Sequence, residues 1–162
     1  MQDFTRKSDI DWSQKVNESI KKLPPSKAFQ NVDTILNEAK EKVDLVGVSS
    51  ANKEAVIEEW TRLNIIQDFL FVGCQDSGNK SHIIKESLEK GYSKANTLML
   101  GDAIGDYQAA TENGILFFPI IPKKETESWL RLQNEGLPNL LKGKFDEDYQ
   151  KKLMADFLSS LR

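Results

Sequence analysis

The sequence predicts a doubly wound α/β fold, in which helices cover both faces of a parallel sheet. Short, continuous apolar runs recur between residues 29 and 122, a pattern typical of strands that are buried on both faces. Longer stretches with apolar side chains at helical spacing separate these runs. Because strands that alternate with helices form parallel sheets with right-handed crossovers, we expect one such sheet here.

The elements can be placed in order from these two periodicities. The predicted strands are 45–48, 69–72, 97–100 and 115–120. Each helix is indicated by a group of apolar residues: Trp12, Val16, Ile20 and Leu23 before Pro24 and Pro25; Val32, Ile35, Leu36, Ala39 and Val43; Val56, Ile57, Trp60 and Leu63; Ile83, Ile84 and Leu88 within 80–90; and Tyr107, Ala109 and Ala110 before Asn113 and Gly114.

Beyond Pro122 the alternation of strands and helices ends. Trp129 and Leu132 indicate a short helix. Asp146 is expected to cap a last helix, whose apolar face carries Tyr149, Leu153, Phe157 and Leu161. We therefore expect residues 123–162 to form a helical extension that packs on the sheet formed by residues 29–122.

Composition narrows the classes of function. The chain has 162 residues, 22 basic and 25 acidic, and a net charge of −3, so it has no basic field for binding nucleic acid. No apolar run approaches the roughly 20 residues of a membrane span, and the first residues are too polar for a signal sequence. Cys74 has no second cysteine to pair with, which fits a reducing compartment. We expect a cytoplasmic protein without membrane or nucleic-acid partners.

The most informative segment is 97–106, which ends a buried strand and carries two acidic residues. Gly101 allows a sharp turn, Asp102 follows the strand directly, and Asp106 lies at the start of the next helix. Two carboxylates held this close repel each other unless a cation or a proton lies between them. Oxygen ligands at a strand end suit magnesium, although the two acids could also simply cap a helix.

Two more polar side chains are predicted at the same edge of the sheet. Ser49 follows its strand, and Lys80 begins a helix after the loop 76–79. The carboxyl ends of parallel strands meet at one edge, where ligands bind. A hydroxyl, an ammonium group and acids that hold magnesium are what phosphoryl transfer requires around a nucleophile. Taken singly, Ser49 is better explained as a helix-capping hydroxyl and Lys80 as an exposed residue at a helix start. Together, in this order and spacing, they favour a shared site.

These motifs resemble those of the haloacid dehalogenase superfamily of phosphohydrolases. Residues 46–50 are similar to its second motif, Lys80 corresponds to the third-motif lysine, and Leu98-Met-Leu-Gly-Asp102-Ala-Ile-Gly-Asp106 is close to the fourth motif. Ser81 departs from the proline that many members have. The resemblance implies a Rossmann-like core, phosphate binding by Ser49, Ser50 and Lys80, catalytic roles for Ser49 and Lys80, magnesium held by Asp102 and Asp106, and a small phosphate ester as substrate.

One family feature has no counterpart in the chain. Members attack phosphate with the first Asp of an Asp-x-Asp-x-Thr/Val motif after an N-terminal apolar strand. Asp9 and Asp11 have the spacing, but no apolar strand precedes them, and we expect them to cap the helix that begins at Trp12. Residues 1–28 resemble instead a remnant of the family's helical cap and a linker.

The missing segment has consequences for activity and for partners. In the family, the first strand lies between the strands of the second and fourth motifs, so its loss leaves unpaired backbone on both neighbours. We expect a complementing N-terminal fragment, a second copy of the chain, or direct pairing of the two strands, and no activity of the chain alone. The alternatives are a degenerate, non-catalytic member that binds a phosphorylated ligand or a protein, and, less favoured, a receiver domain with an aspartate phosphoacceptor.

Overall fold

The structure is a computed structural model that describes residues 27–161. Its strands are β1 (Val46–Val48), β2 (Phe71–Gly73), β3 (Leu98–Gly101) and β4 (Leu116–Pro119). Its α-helices are α1 (Val32–Lys40), α2 (Lys53–Arg62), α3 (Lys80–Leu88), α4 (Ile104–Asn113), α5 (Glu125–Arg131), α6 (Leu137–Leu141) and α7 (Glu147–Ser160). A π-helical turn, Leu132–Gly136, joins α5 to α6.

The order of elements confirms the α/β fold class that the sequence predicts. All four predicted strands are present, each within two residues of its predicted bounds at either end. The helix through Val32 ends at Lys40 and so does not reach Val43. Asp146 caps α7 as predicted, because its carboxylate accepts a hydrogen bond from the backbone N–H of Tyr149. The helix predicted around Trp12 lies outside the described residues.

The four strands form two separate parallel pairs instead of one sheet. β1 pairs with β2, with Val46 beside Phe71, and β3 pairs with β4, with Leu98 beside Leu116. Between residues 27 and 161, no ladder joins β1 to β3. The sheet is therefore interrupted between β1 and β3 in the described residues, and these two strands do not pair directly.

Helix packing holds the two half-sheets side by side. On one face, α3 packs against α4. On the other face, Trp129 of α5 contacts two apolar clusters, one built around Val32, Leu36 and Ile65 and the other around Phe118 and Leu153. Helix α3 follows β2 and α4 follows β3, and Trp129 contacts one cluster from each half. The two halves are therefore joined by side-chain packing and not by backbone hydrogen bonds.

The C-terminal helices pack on the β3–β4 pair. Phe117, which is fully buried, makes an edge-to-face contact with Tyr107 of α4 and a tilted ring contact with Phe157 of α7 on one face of the pair. Phe118, the next residue along β4, points to the opposite face, where it contacts Leu132 and Leu153. Residues of the extension therefore cover both faces of β4.

The π-helical turn can be explained by a close approach to Phe118. A Cβ added at Gly136 would lie 2.8 Å from the Phe118 ring and 3.1 Å from Leu132. The extra residue in the turn brings the bare backbone of Gly136 against the ring, and only glycine leaves room for it.

Among the described residues, no helix is long and apolar enough to cross a membrane.

We predict that Gly136→Ala destabilises the fold by about 1–3 kcal/mol, because the added methyl group overpacks the contact with Phe118. The matched control is Gly105→Ala in α4, where an added Cβ meets nothing within 4 Å. Replacing that helical glycine should be neutral or stabilise by up to about 1 kcal/mol. Urea unfolding of both variants measures the difference, and equal stabilities would contradict the packing argument.

Candidate functional site

Lys80 and Asp106 form an ion pair where strands β2 and β3 end. Lys80 is the first residue of α3, and Asn79 caps that helix by accepting from the backbone N–H of His82 at 2.8 Å. The Lys80 ammonium group donates to Oδ1 of Asp106, which lies in the first turn of α4. The Asp106 side chain is 2% exposed and that of Lys80 is 28% exposed. The pair therefore joins the two half-sheets at their carboxyl ends.

The second oxygen of Asp106 holds the loop that follows β3. Its Oδ2 accepts from the backbone N–H of Asp102 at 3.2 Å and of Ala103 at 3.1 Å. A Cβ at position 101 would collide with the Cβ of Asp106, so the loop passes this close only because residue 101 is glycine. The reading of Asp106 as a capping residue is thus correct, and the same carboxylate also binds Lys80.

Asp102 differs from Asp106 in being exposed to solvent. No hydrogen bond or ion pair of its carboxylate is seen within residues 27–161. In that part of the chain no group of three or more Asp, Glu, His or Cys side chains could hold a metal ion. Magnesium binds through one or two carboxylates plus water and phosphate, so a free carboxylate at Asp102 fits such an ion as a single ligand. Asp106 has both oxygens engaged by the protein.

Ser49 lies at the same edge but does not contact the ion pair. It directly follows β1, its N–H donates to Gly73 at 2.9 Å, and its hydroxyl accepts from the N–H of Ala51 at 3.1 Å. Ser50 is exposed. The structure therefore brings Lys80, Asp102 and Asp106 together and leaves Ser49 and Ser50 in the neighbouring loop. The Ser49 hydroxyl serves a local turn there, whereas Asn52 caps α2, so Ser49 is not the helix cap that the alternative interpretation predicts.

The loops after β1 and β2 are tied to each other and reach toward α4. The N–H of Gln75 donates to the C=O of Ala51 at 3.1 Å. The chain then turns through Asn79 into α3, whose first residue, Lys80, contacts Asp106. The ends of β1, β2 and β3 consequently share one edge of the fold.

Cys74 and His82 lie near this edge and do not enter the site. Cys74 is fully buried, and burial followed by the nearby Asp76 carboxylate raises the pKa of its thiol. A buried thiol with a raised pKa is a poor nucleophile. His82 is exposed on α3 and lies 3.4 Å from Glu86. Cys74 therefore has a structural position and His82 a surface position.

A buried ion pair that the sequence does not signal lies away from this edge. The Lys40 ammonium, at the end of α1, donates to Asp68 at 2.7 Å, and Asp68 is 5% exposed. The other Asp68 oxygen has no hydrogen-bond partner. Asp68 belongs to no recognisable sequence motif. The ion pair is therefore seen only once the turn before β2 is packed against α1.

The fold and the site define an α/β protein whose polar groups collect where its parallel strands end. The family model described as haloacid dehalogenase-like hydrolase matches residues 2–120. This is most of the chain, and the chain therefore belongs to that family. No curated protein and no solved structure is matched.

We predict that the two acids differ sharply in their contribution to stability. Asp106→Ala removes the partner of Lys80 and the acceptor of two backbone N–H groups, and should cost about 2–4 kcal/mol. Asp102→Ala removes an exposed carboxylate and should change the free energy of unfolding by no more than about 0.5 kcal/mol. Urea unfolding without divalent cations tests this, and equal losses would contradict the assignment.

Proposed function

We propose that the chain is the larger part of a magnesium-dependent phosphohydrolase that acts on a small phosphate ester. The observation that carries the proposal is the Lys80–Asp106 pair beside the free carboxylate of Asp102, at the edge where parallel strands end. Membership of the hydrolase family supports the reaction class.

Each residue of the site has a role suited to its environment. Lys80 carries a positive charge that is partly exposed and held by Asp106, so it can neutralise a bound phosphoryl group without losing its position. At the start of the loop that leads into α2, Ser49 offers its hydroxyl, and Ser50 offers its hydroxyl and its backbone N–H, whereas the Ser49 N–H is bound to Gly73. Asp106 positions Lys80 and the backbone of residues 102 and 103.

Asp102 is the residue that would hold magnesium, and Asp106 would support it by binding the backbone of residues 102 and 103. When bound, the ion supplies positive charge that stabilises the charge developing on the phosphoryl oxygens. Asp102 suits this role because its carboxylate is exposed, whereas the Asp106 carboxylate would have to give up a protein contact to bind the ion directly.

We propose that the chain alone does not turn over its substrate, because none of the aspartates at this edge in residues 27–161 is available as nucleophile. Asp106 is occupied, Asp102 is assigned to the metal, and Asp76 in the neighbouring loop lies 3.8 Å from Lys53. A complementing N-terminal fragment, or a second copy of the chain, would have to supply the missing acid.

We place this protein in the cytoplasm, without nucleic-acid or membrane partners, on the basis of its charge and its one cysteine.

A non-catalytic role is the second candidate. The same edge could bind a phosphorylated ligand through Lys80 and the loop at 49–50 without cleaving it. This alternative is favoured because, in residues 27–161, the free carboxylate at this edge is Asp102, which is assigned to the metal and not to attack on phosphate. Phosphate binding without turnover, even after complementation, would distinguish this role from catalysis.

We predict that magnesium together with orthophosphate raises the melting temperature, because ligands that bind only the folded state stabilise it. Asp102→Ala should abolish the magnesium-dependent part of the shift. The matched control is Asp76→Ala, another exposed acid near this edge, which should retain it. A melting temperature that is unchanged at saturating magnesium and phosphate would contradict the metal and phosphate assignments.

We also predict no turnover of a generic aryl phosphate by the purified chain with magnesium. The measurement is release of the chromogenic phenol over hours, with the Asp102→Ala variant as the control for contaminating phosphatases. Turnover by the unmodified chain that disappears in Asp102→Ala would show that the chain contains its own nucleophile.

A further inference from the structure

The outer edge of the β3–β4 pair is closed to further strands. The N–H of Leu116 donates to the C=O of Thr97 in the β3 approach, so residues 117, 119 and 121 direct their backbone groups outward. Side chains of the C-terminal extension bind two of these N–H groups and proline removes the third: Phe117 donates to Gln150 at 3.0 Å, Ile121 donates to Ser128 at 3.0 Å, and Pro119 has no N–H.

The outer edge of the β1–β2 pair has no such protection. The C=O of Gly73 accepts from the N–H of Ser49, so Phe71 and Gly73 face β1, and Val72 between them directs its N–H and C=O outward. Within residues 27–161 neither of these groups has a partner. The run from residue 69 to residue 74 contains no charged residue and no proline, which are the residues that natural edge strands use against strand addition.

Large apolar side chains are exposed on both faces of this edge. Leu70 is 68% exposed and Phe71 is 50% exposed. Because the two residues are adjacent, their side chains lie on opposite faces of the strand. The Phe71 ring lies on the face that α3 covers, where Ile83 packs on Gly73. A strand added at this edge would therefore bury apolar surface on both of its faces.

We propose that β2 pairs antiparallel with β2 of a second copy of the chain, about a two-fold axis beside Val72. The N–H of Val72 in each copy then donates to the C=O of Val72 in the partner subunit. Leu70 and Phe71 are covered in both copies, and the two β1–β2 pairs become one four-stranded sheet across the dimer. This interface is on the outer side of β2, away from the interruption between β1 and β3.

The charges on α3 are the reason for choosing a second copy as the partner. His82, Lys85, Glu86 and Glu89 are all exposed and are spaced so that they share one side of the helix. Basic residues come first and acidic residues follow, so the side reverses its sign at the middle of the helix.

A two-fold axis at β2 places the α3 helices of the two copies side by side and antiparallel, because α3 lies over this edge through Ile83. Lys85 then lies opposite Glu86 of the partner subunit, and His82 lies opposite Glu89 of the partner subunit. Opposite charges therefore meet in an antiparallel pair, so this face is complementary to a copy of itself.

The first test is the mass of the full chain in solution, measured by sedimentation over a range of concentrations. We expect a monomer–dimer equilibrium at about 1–100 μM, in keeping with a small interface. Hydrogen exchange followed by NMR should show that the Val72 amide exchanges rapidly in the monomer and slowly in the dimer, since only the dimer gives it an acceptor.

Two pairs of variants make the test specific to the β2 edge. Val72→Pro removes the outward N–H, which an edge strand tolerates, and should weaken dimerisation about tenfold or more, whereas Val72→Thr should leave it within about threefold. Leu70→Lys should also weaken dimerisation about tenfold or more, whereas Leu158→Lys, at another exposed leucine on α7, should not. Protection of the Ser49 amide shows that Val72→Pro is folded.

A charge exchange on α3 tests the antiparallel arrangement. Glu86→Lys places like charges opposite each other and should weaken dimerisation about threefold to tenfold. The double variant Lys85→Glu with Glu86→Lys restores opposite charges across the axis and should return the dissociation constant to within about threefold of the unmodified chain. No recovery in the double variant would overturn this arrangement of the helices.

Three further results would overturn the inference. The first is a monomer mass that persists at about 500 μM. The second is slow exchange of the Val72 amide in the monomer, which would mean that residues of the same chain cover the edge. The third is a dimer that neither Val72→Pro nor Leu70→Lys weakens, which would place the interface elsewhere. The measurements use no magnesium and no phosphate, so they are independent of the proposed hydrolase site.

Discussion

The ion pair between Lys80 and Asp106 is the constraint on which this site depends. Lys80 begins the helix that follows β2, and Asp106 lies in the helix that follows β3, so their contact crosses from one half-sheet to the other. The same carboxylate binds the backbone of residues 102 and 103. A buried carboxylate with three donors is fully satisfied, which explains why a charge can be buried where the two halves meet.

Since no backbone ladder is seen between β1 and β3 in residues 27–161, packing must supply the cohesion that a continuous sheet would provide. Trp129 contacts apolar clusters of both halves, and Gln133 donates to Glu38 at 2.8 Å across the same junction. Arg131 binds Asp156 at 2.8 Å and so holds α5 against α7. The C-terminal extension therefore acts as a brace between α1 and the β3–β4 pair.

The sequence by itself determined the order of elements, the strands and the residues at the strand ends, because apolar periodicity and the Gly101 to Asp106 spacing are local signals. Tertiary structure alone decided that Asp106 is buried and engaged while Asp102 is free, since burial depends on Lys80, 26 positions away in sequence. It also decided the π-helical turn, which depends on the contact between Gly136 and Phe118, and the separation of the strands into two pairs. Strand pairing and the partners of individual polar side chains are set by contacts distant in sequence, which apolar periodicity does not encode.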